Sequence, residues 1–96
     1  MPAMASLFEK YKPTHIIHFA AETHVDHSIV DPSLCIKTNV EGANNLLQLA
    51  RDYKLSRFHL ISTDEVYGDL KLNSAPFTEK SPYNPHNPYS ASKASA

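Results

Sequence analysis

Two short runs dense in β-branched and aromatic residues, THIIHFA (14–20) and RFHLIS (57–62), stand on either side of a segment whose apolar residues recur at helical spacing. That order constrains the fold more than anything else in the chain. Ile36, Val40, Ala43, Leu47 and Ala50 fall three or four apart, with Leu46 and Leu49 beside them, which puts an apolar face on a helix of about five turns. Asp31-Pro32 marks its start: the aspartate can accept from free N–H groups of the first turn, where the missing N–H of proline costs nothing. Strand, helix, strand implies a parallel pair joined by a right-handed crossover, so the fold class is α/β.

The flanks are read the same way. Met4, Leu7, Phe8 and Tyr11 predict a short helix over Ala3–Tyr11, ended by Pro13, and the polar AETHVDHS (21–28) predicts a loop. Gly42 inside the long helix costs about 1 kcal/mol relative to alanine, so close packing against a strand or a cofactor is expected there. After the second strand, Pro76, Pro82, Pro85 and Pro88 exclude regular structure over a long loop, and long loops in compact domains usually carry function. YSASKASA after Pro88 begins a last helix.

Size and charge narrow the possible functions. A chain of 96 residues, 42% hydrophobic and 20% charged, buries only roughly 60 to 65% of its unfolded surface, so a parallel sheet covered by helices on both faces cannot be completed within it. Nine basic and ten acidic residues, net charge −1, leave neither a basic stripe for nucleic acid nor a polybasic membrane patch. Cys35 is the only cysteine, so the chain has no internal disulfide and no multi-cysteine metal site, as suits a reducing compartment. No leader pattern opens the sequence and no run approaches the ~20 apolar residues of a membrane span; a cytoplasmic location is expected.

Three groups of residues could carry chemistry. Tyr89 and Lys93 are four apart in YSASK, one turn apart on one helix face. An ammonium beside a phenol stabilises the phenolate and makes a usable base, although the spacing also suits a surface tyrosine lying on a lysine stem. In STDEVYG (62–68), Thr63, Asp64 and Glu65 stand at the mouth of a strand. They can form a turn cap, or two carboxylates in different protonation states, one general acid and one general base. The pair His24 and His27, with Asp26 between them, has no third spaced ligand group and is read as a hydrogen-bonding loop, with no metal; His15, His18 and His59 are read as core or interface residues of the strands.

Taken together, HFAAETHVDHS (18–28), KTNVEGANNLL (37–47), STDEVYG (62–68) and FTEKSPYNPHNPYSASK (77–93) resemble the extended short-chain dehydrogenase/reductase superfamily, and within it the dTDP-glucose 4,6-dehydratases, over about 80 of the 96 residues. The resemblance implies a Rossmann-type domain that binds NAD, a nucleotide-sugar substrate and a homodimeric whole protein. It implies that Phe19, Ala20, Ala21, Glu22 and Thr23 run along the bound NAD, with Thr23 also near the sugar and Thr38 near the cofactor. Tyr89 would take the proton from the sugar 4-hydroxyl while a hydride leaves C4. Lys93 would hold the nicotinamide ribose and lower the tyrosine pKa, and Thr63 would hydrogen-bond the hydroxyl being oxidised. Glu65 would remove the C5 proton and Asp64 would protonate the departing 6-hydroxyl, after which the hydride returns to C6. Related 4-epimerases keep the tyrosine and lysine but typically have small residues where Asp64 and Glu65 stand. An epimerase, a decarboxylase or a non-catalytic scaffold are the alternatives.

The superfamily's G-x-x-G-x-x-G phosphate loop is absent, since Gly42 and Gly68 are the only glycines. Residues 1–96 are accordingly expected to form the central part of an NAD-binding domain, without its N-terminal glycine-rich unit or a C-terminal substrate domain, and to be inactive in isolation.

Overall fold

The two apolar runs do pair. In the computed structural model, which describes residues 2–96, β1 (His15–His18) and β2 (Arg57–Leu60) lie parallel, with His15 opposite Arg57 and His18 opposite Leu60. The ladder continues one bond beyond each end, Ser56 N–H donating to the Thr14 carbonyl (2.8 Å) and Ile61 N–H to the His18 carbonyl (3.1 Å). Each strand has four residues, shorter than its apolar run. In front of β1 stands α1 (Pro2–Tyr11), whose Phe8 is buried edge-on against Tyr53, 5.5 Å between ring centres.

The connection between the strands departs from the expected loop and single helix. A six-residue helix, α2 (Val25–Val30), begins inside AETHVDHS, where a loop was expected. It has no capping side chain at His24 and a single apolar pair at helical spacing, Val25 and Ile29; Ser28, buried against the last helix, ties it in place. The expected five-turn helix forms as a continuous rod in three parts: α3 (Pro32–Ile36), a π-helical turn (Lys37–Glu41) and α4 (Gly42–Asp52). Asp31 caps it as expected, accepting from Leu34 N–H at 3.3 Å.

The buried stripe of this rod differs from the apolar one. Cys35, Asn39, Ala43 and Leu49 are buried, whereas Ile36 and Leu47 of the predicted face are exposed. A wide turn alters the register between α3 and α4, and the polar Asn39 occupies a core position because its amide is fully engaged. Nor does Gly42 pack closely on a strand: a Cβ there would have only the Lys37 carbonyl near it, at an ordinary 3.9 Å.

After β2 the chain turns through a 3₁₀ helix (Asp64–Tyr67), runs irregularly as the prolines require, and enters α5 (Pro88–Ser95). Asn87 caps α5, its Oδ1 accepting from Ser90 N–H at 2.8 Å, with Pro88 in the first turn. The whole measures 51 × 30 × 14 Å, with a radius of gyration of 15.4 Å, against about 13 Å for a closed domain of similar length. It is a slab little thicker than one layer of helix, and it leaves Ile17, Phe19 and Val30 exposed. Among the described residues no helix is long and apolar enough to cross a membrane. Since the Asn87 cap bond is the shorter of the two, Asn87→Ala should lower stability by about 1 kcal/mol and Asp31→Ala by less, as read from urea midpoints of the two variants.

Candidate active site

α5 is the centre of the site because its residues are small enough to be buried on several sides. Tyr89, Ser90, Ser92 and Lys93 are all buried, the lysine only 6% exposed. Three separate elements hold the helix. Ser28 Oγ of α2 accepts from Tyr89 N–H at 3.1 Å. Lys93 Nζ donates to the Ile61 carbonyl, at the end of β2, at 2.7 Å. The third attachment is Asn39 in the π-helical turn.

The Asn39 side chain joins three segments. Its Oδ1 accepts from Glu22 N–H (2.8 Å) and its Nδ2 donates to the Glu22 carbonyl (3.0 Å), a two-point grip on the chain leaving β1. The same Nδ2 reaches Ser92 Oγ (2.9 Å), which in turn donates to the Tyr89 carbonyl (2.6 Å), and Cys35 Sγ lies 3.3 Å from Nδ2 and 3.2 Å from Ser92 Oγ. A wide turn in a helix at a site of this kind is a recurring association. Sequence reasoning missed both Asn39 and Ser92. Asn39 stood among polar residues with no local mark, whereas the Asn87-Pro88 cap that starts the helix carried the same signature as Asp31-Pro32.

Tyr89 and Lys93 share a face as their spacing predicted, but the electrostatics differ from the expectation. Burial pushes the Tyr89 phenol above its ordinary value of 10.0, and the Glu65 carboxylate adds to the rise. The Thr63 hydroxyl acts in the opposite direction. Lys93 is not among the groups that shift the tyrosine; its ammonium donates to the Ile61 carbonyl, and burial lowers its own pKa from 10.5. Thr63, Asp64 and Glu65 form the first turn of the 3₁₀ helix, which packs against α5. Thr63 Oγ1 caps that turn, accepting from Glu65 N–H at 3.3 Å and donating to Asp64 Oδ1 at 3.4 Å. Asp64 is exposed and Glu65 half-buried, so the two carboxylates occupy different environments.

A mostly apolar cleft of about 290 Å³ is lined by Met4, His18, Ala20, Thr38, Gly42 and Asn45 among others, with no residue of α5 or of the acid turn in its wall. It brings together Ala20 and Thr38 of the residues expected to face a cofactor. Phe19 and Thr23 are exposed away from its lining; Ala21 and Glu22 are half-buried, with the Glu22 backbone occupied by Asn39. Of the strand histidines, only His18 is buried. No group of three or more potential metal ligands occurs among the described residues.

Fold and site together define an α/β protein with a buried Tyr–Lys helix at the carboxyl end of a parallel sheet and an acid turn beside it. Comparison with known proteins places it more finely. Residues 2–96 match the family described as GDP-mannose 4,6 dehydratase, and the chain belongs to this family. It is 49% identical over 100 residues to the dTDP-glucose 4,6-dehydratase of Haemophilus influenzae, covering 95% of this chain and 30% of that protein. It is 46% identical over 112 residues to dTDP-glucose 4,6-dehydratase 1 of Escherichia coli K12, covering 99% and 31%. The chain therefore spans about three-tenths of the length of these curated relatives.

Among solved structures it matches DesIV, a dTDP-glucose 4,6-dehydratase from Streptomyces venezuelae with NAD and TYD bound, at a TM-score of 0.86 and 46% identity, over 95% of this chain and 28% of that one. It also matches the UDP-glucose 4-epimerase of Thermus thermophilus in complex with NAD, at 0.88 and 32%, over 97% and 30%. The fold is thus the Rossmann-type α/β arrangement of nucleotide-sugar enzymes.

Two outcomes follow from this geometry. Asn39→Ala leaves both Glu22 backbone groups without their partner and removes one of the bonds to Ser92 Oγ, so it should cost about 2 to 3 kcal/mol. Asn39→Asp should recover little of this, since a carboxylate cannot donate to the Glu22 carbonyl; urea unfolding of both variants measures it. Burial, then the Lys93 charge, lowers the His18 pKa from 6.5. The unfolded chain therefore binds the extra proton first as pH falls. The stability His18 contributes is complete above pH 6.5 and is lost as pH drops through the folded value. His18→Gln should flatten that part of the stability–pH curve, while an unchanged slope would assign it to other groups.

Proposed function

We propose that the chain carries the catalytic strip of an NAD-dependent nucleotide-sugar 4,6-dehydratase, a lyase that converts a nucleotide-linked glucose, dTDP-glucose being the substrate the relatives favour, into its 4-keto-6-deoxy form. The observation that supports this most is the packing of the Asp64–Glu65 turn against the Tyr89–Lys93 helix, close enough for Glu65 to act on the tyrosine. Identity favours the same reading: 46 to 49% with the dehydratases against 32% with the epimerase, although the folds superpose equally well.

The cleft residues fit part of a dinucleotide. Ala20 and Gly42 leave room along its wall and Thr38 offers a hydroxyl, while Lys93 stands buried beside the Tyr89 face. The pyrophosphate would need backbone N–H groups of a glycine-rich turn, which these residues do not contain. NAD, when bound, supplies the acceptor for the hydride from C4 and its donor to C6. Tyr89 accepts the proton of the 4-hydroxyl, which Thr63 orients. A phenol is protonated at neutral pH and burial raises this one further, so its ionisation has to be eased in the loaded site, and the Thr63 hydroxyl acts in that direction. The 4-keto group acidifies the C5 proton. Glu65, half-buried and beside Tyr89, takes that proton, and the exposed Asp64 protonates the departing 6-hydroxyl, so that water leaves.

A hybrid in which this chain replaces the matching segment of the Haemophilus influenzae relative tests the reading. It should dehydrate the sugar nucleotide, and Tyr89→Phe in the hybrid should abolish NADH formation in a single turnover while retaining NAD. Glu65→Gln should slow exchange of the C5 hydrogen with deuterated solvent about 10²- to 10⁴-fold, whereas Asp64→Asn should spare that exchange and slow water loss. Normal NADH formation by Tyr89→Phe would remove the tyrosine from its role.

A further inference from the structure

Gly68 ends the acid turn with φ 94° and ψ −154°, a backbone conformation that residues with a Cβ rarely adopt. Space excludes a side chain there as well, since a Cβ at Gly68 would run into the carbonyl oxygen of Asn84, a backbone atom with no rotamer to yield. The two segments are bonded where they cross. Asn84 N–H donates to the Val66 carbonyl at 2.9 Å, and Gly68 N–H closes the turn on the Glu65 carbonyl at 3.1 Å. On either side, His86 Nδ1 meets Asp69 Oδ2 at 2.8 Å, and the Tyr67 ring lies 5.6 Å from Tyr83 and 5.3 Å from Phe77, centre to centre.

Segments 63–69 and 83–89 therefore run against each other as a brace. One ply carries Asp64 and Glu65. The other leads, three residues past Asn84, to the Asn87 cap of α5 and then to Tyr89. The two plies are not held equally: α5 has its own attachments to Ser28, Asn39 and Ile61, whereas the acid turn depends on the Thr63 cap, the buried Val66 and the crossing. A disturbance at the crossing is thus taken up by the acid turn.

We propose that Gly68 is a positioning residue whose close crossing over the Asn84 carbonyl holds the Asp64–Glu65 turn in register with the Tyr89 face of α5. The inference deepens the dehydratase reading, on which its functional meaning rests: the crossing sets the separation between the base that opens the reaction and the acids that complete it. Its geometry stands apart from that reading and is measured without sugar or cofactor.

In the chain labelled with fluorotyrosine, the ring signal of residue 89, assigned by its loss in Tyr89→Phe, should move over an acid titration. That movement should vanish in Glu65→Gln. In Gly68→Ala the Glu65-dependent movement should fall to about half or less, the mark of a weakened coupling between the two residues. If Gly68→Ala gives an unfolded spectrum, Asn84→Pro serves in its place, since it breaks the bond to the Val66 carbonyl at the crossing and leaves Gly68 unchanged. A Glu65-dependent movement of undiminished size in the folded variant would overturn the inference. An inactive hybrid with the coupling still lost in Gly68→Ala would overturn the dehydratase reading and leave the brace intact.

Discussion

A primary amide in a helical turn holds this site together. Asn39 is the point at which the chain leaving β1, the long rod and α5 are joined, through Glu22 on one side and Ser92 on the other. An amide suits the position because one planar group both accepts from and donates to the same backbone residue, with a second N–H left for a hydroxyl. Removing the group would leave buried backbone without partners, a cost larger than the bonds themselves contribute. The π-helical turn follows from the same requirement, since it turns residue 39 inward at a place where the apolar face of the rod would otherwise continue.

Polar bonding substitutes here for an extensive core. The slab buries few large apolar side chains, Phe8, Leu49, Val66 and Tyr89 among them, and the contacts between α5 and the rest run through Ser28, Cys35, Asn39, Ser92 and Lys93. Small side chains allow α2, α3 and α5 to approach closely enough for those bonds to form. The result is a helix whose position is set by directional bonds, which specify one arrangement more narrowly than apolar contact alone. A site that must hold a tyrosine within reach of two carboxylates needs that narrowness.

The elements with local causes were legible in the sequence: the two strands by their β-branched runs, the rod by its spacing and its Asp31-Pro32 start, the turn at Thr63 by its hydroxyl and acids, and the Tyr89–Lys93 face by the interval of four. What escaped had causes distant in the chain. The helix α2 is tied in place where Ser28 meets Tyr89, 61 residues away, and the buried face of the rod rotates because Asn39 meets Glu22 and Ser92, 17 and 53 residues away. The direction of the tyrosine pKa was missed for a related reason. Spacing put Lys93 beside Tyr89, but only the fold shows that the phenol is buried, with the charge of Glu65 adding to the rise, while the ammonium bonds to the Ile61 carbonyl.

That last point bears on how one scaffold serves two chemistries. A dehydratase and an epimerase superpose on this chain at nearly the same TM-score, so the strands, the rod and α5 cannot be what separates them. Within the segment compared, 28% and 30% of those two chains, whatever separates them lies in side chains that the fold tolerates in either form. Positions 64 and 65 meet that condition: they sit in a short capped turn beside α5, one exposed and one half-buried, and the rod, the strands and the attachments of α5 do not depend on their carboxylates. A carboxylate at 65 also works against ionisation of Tyr89. An enzyme that only oxidises and reduces at C4 would gain nothing from that repulsion, whereas one that must also remove a proton from C5 needs the base there. In the proposed dehydratase, the carboxylate at 65 would hinder the first step and supply the base for the second, a balance that only a reaction with both steps has reason to keep.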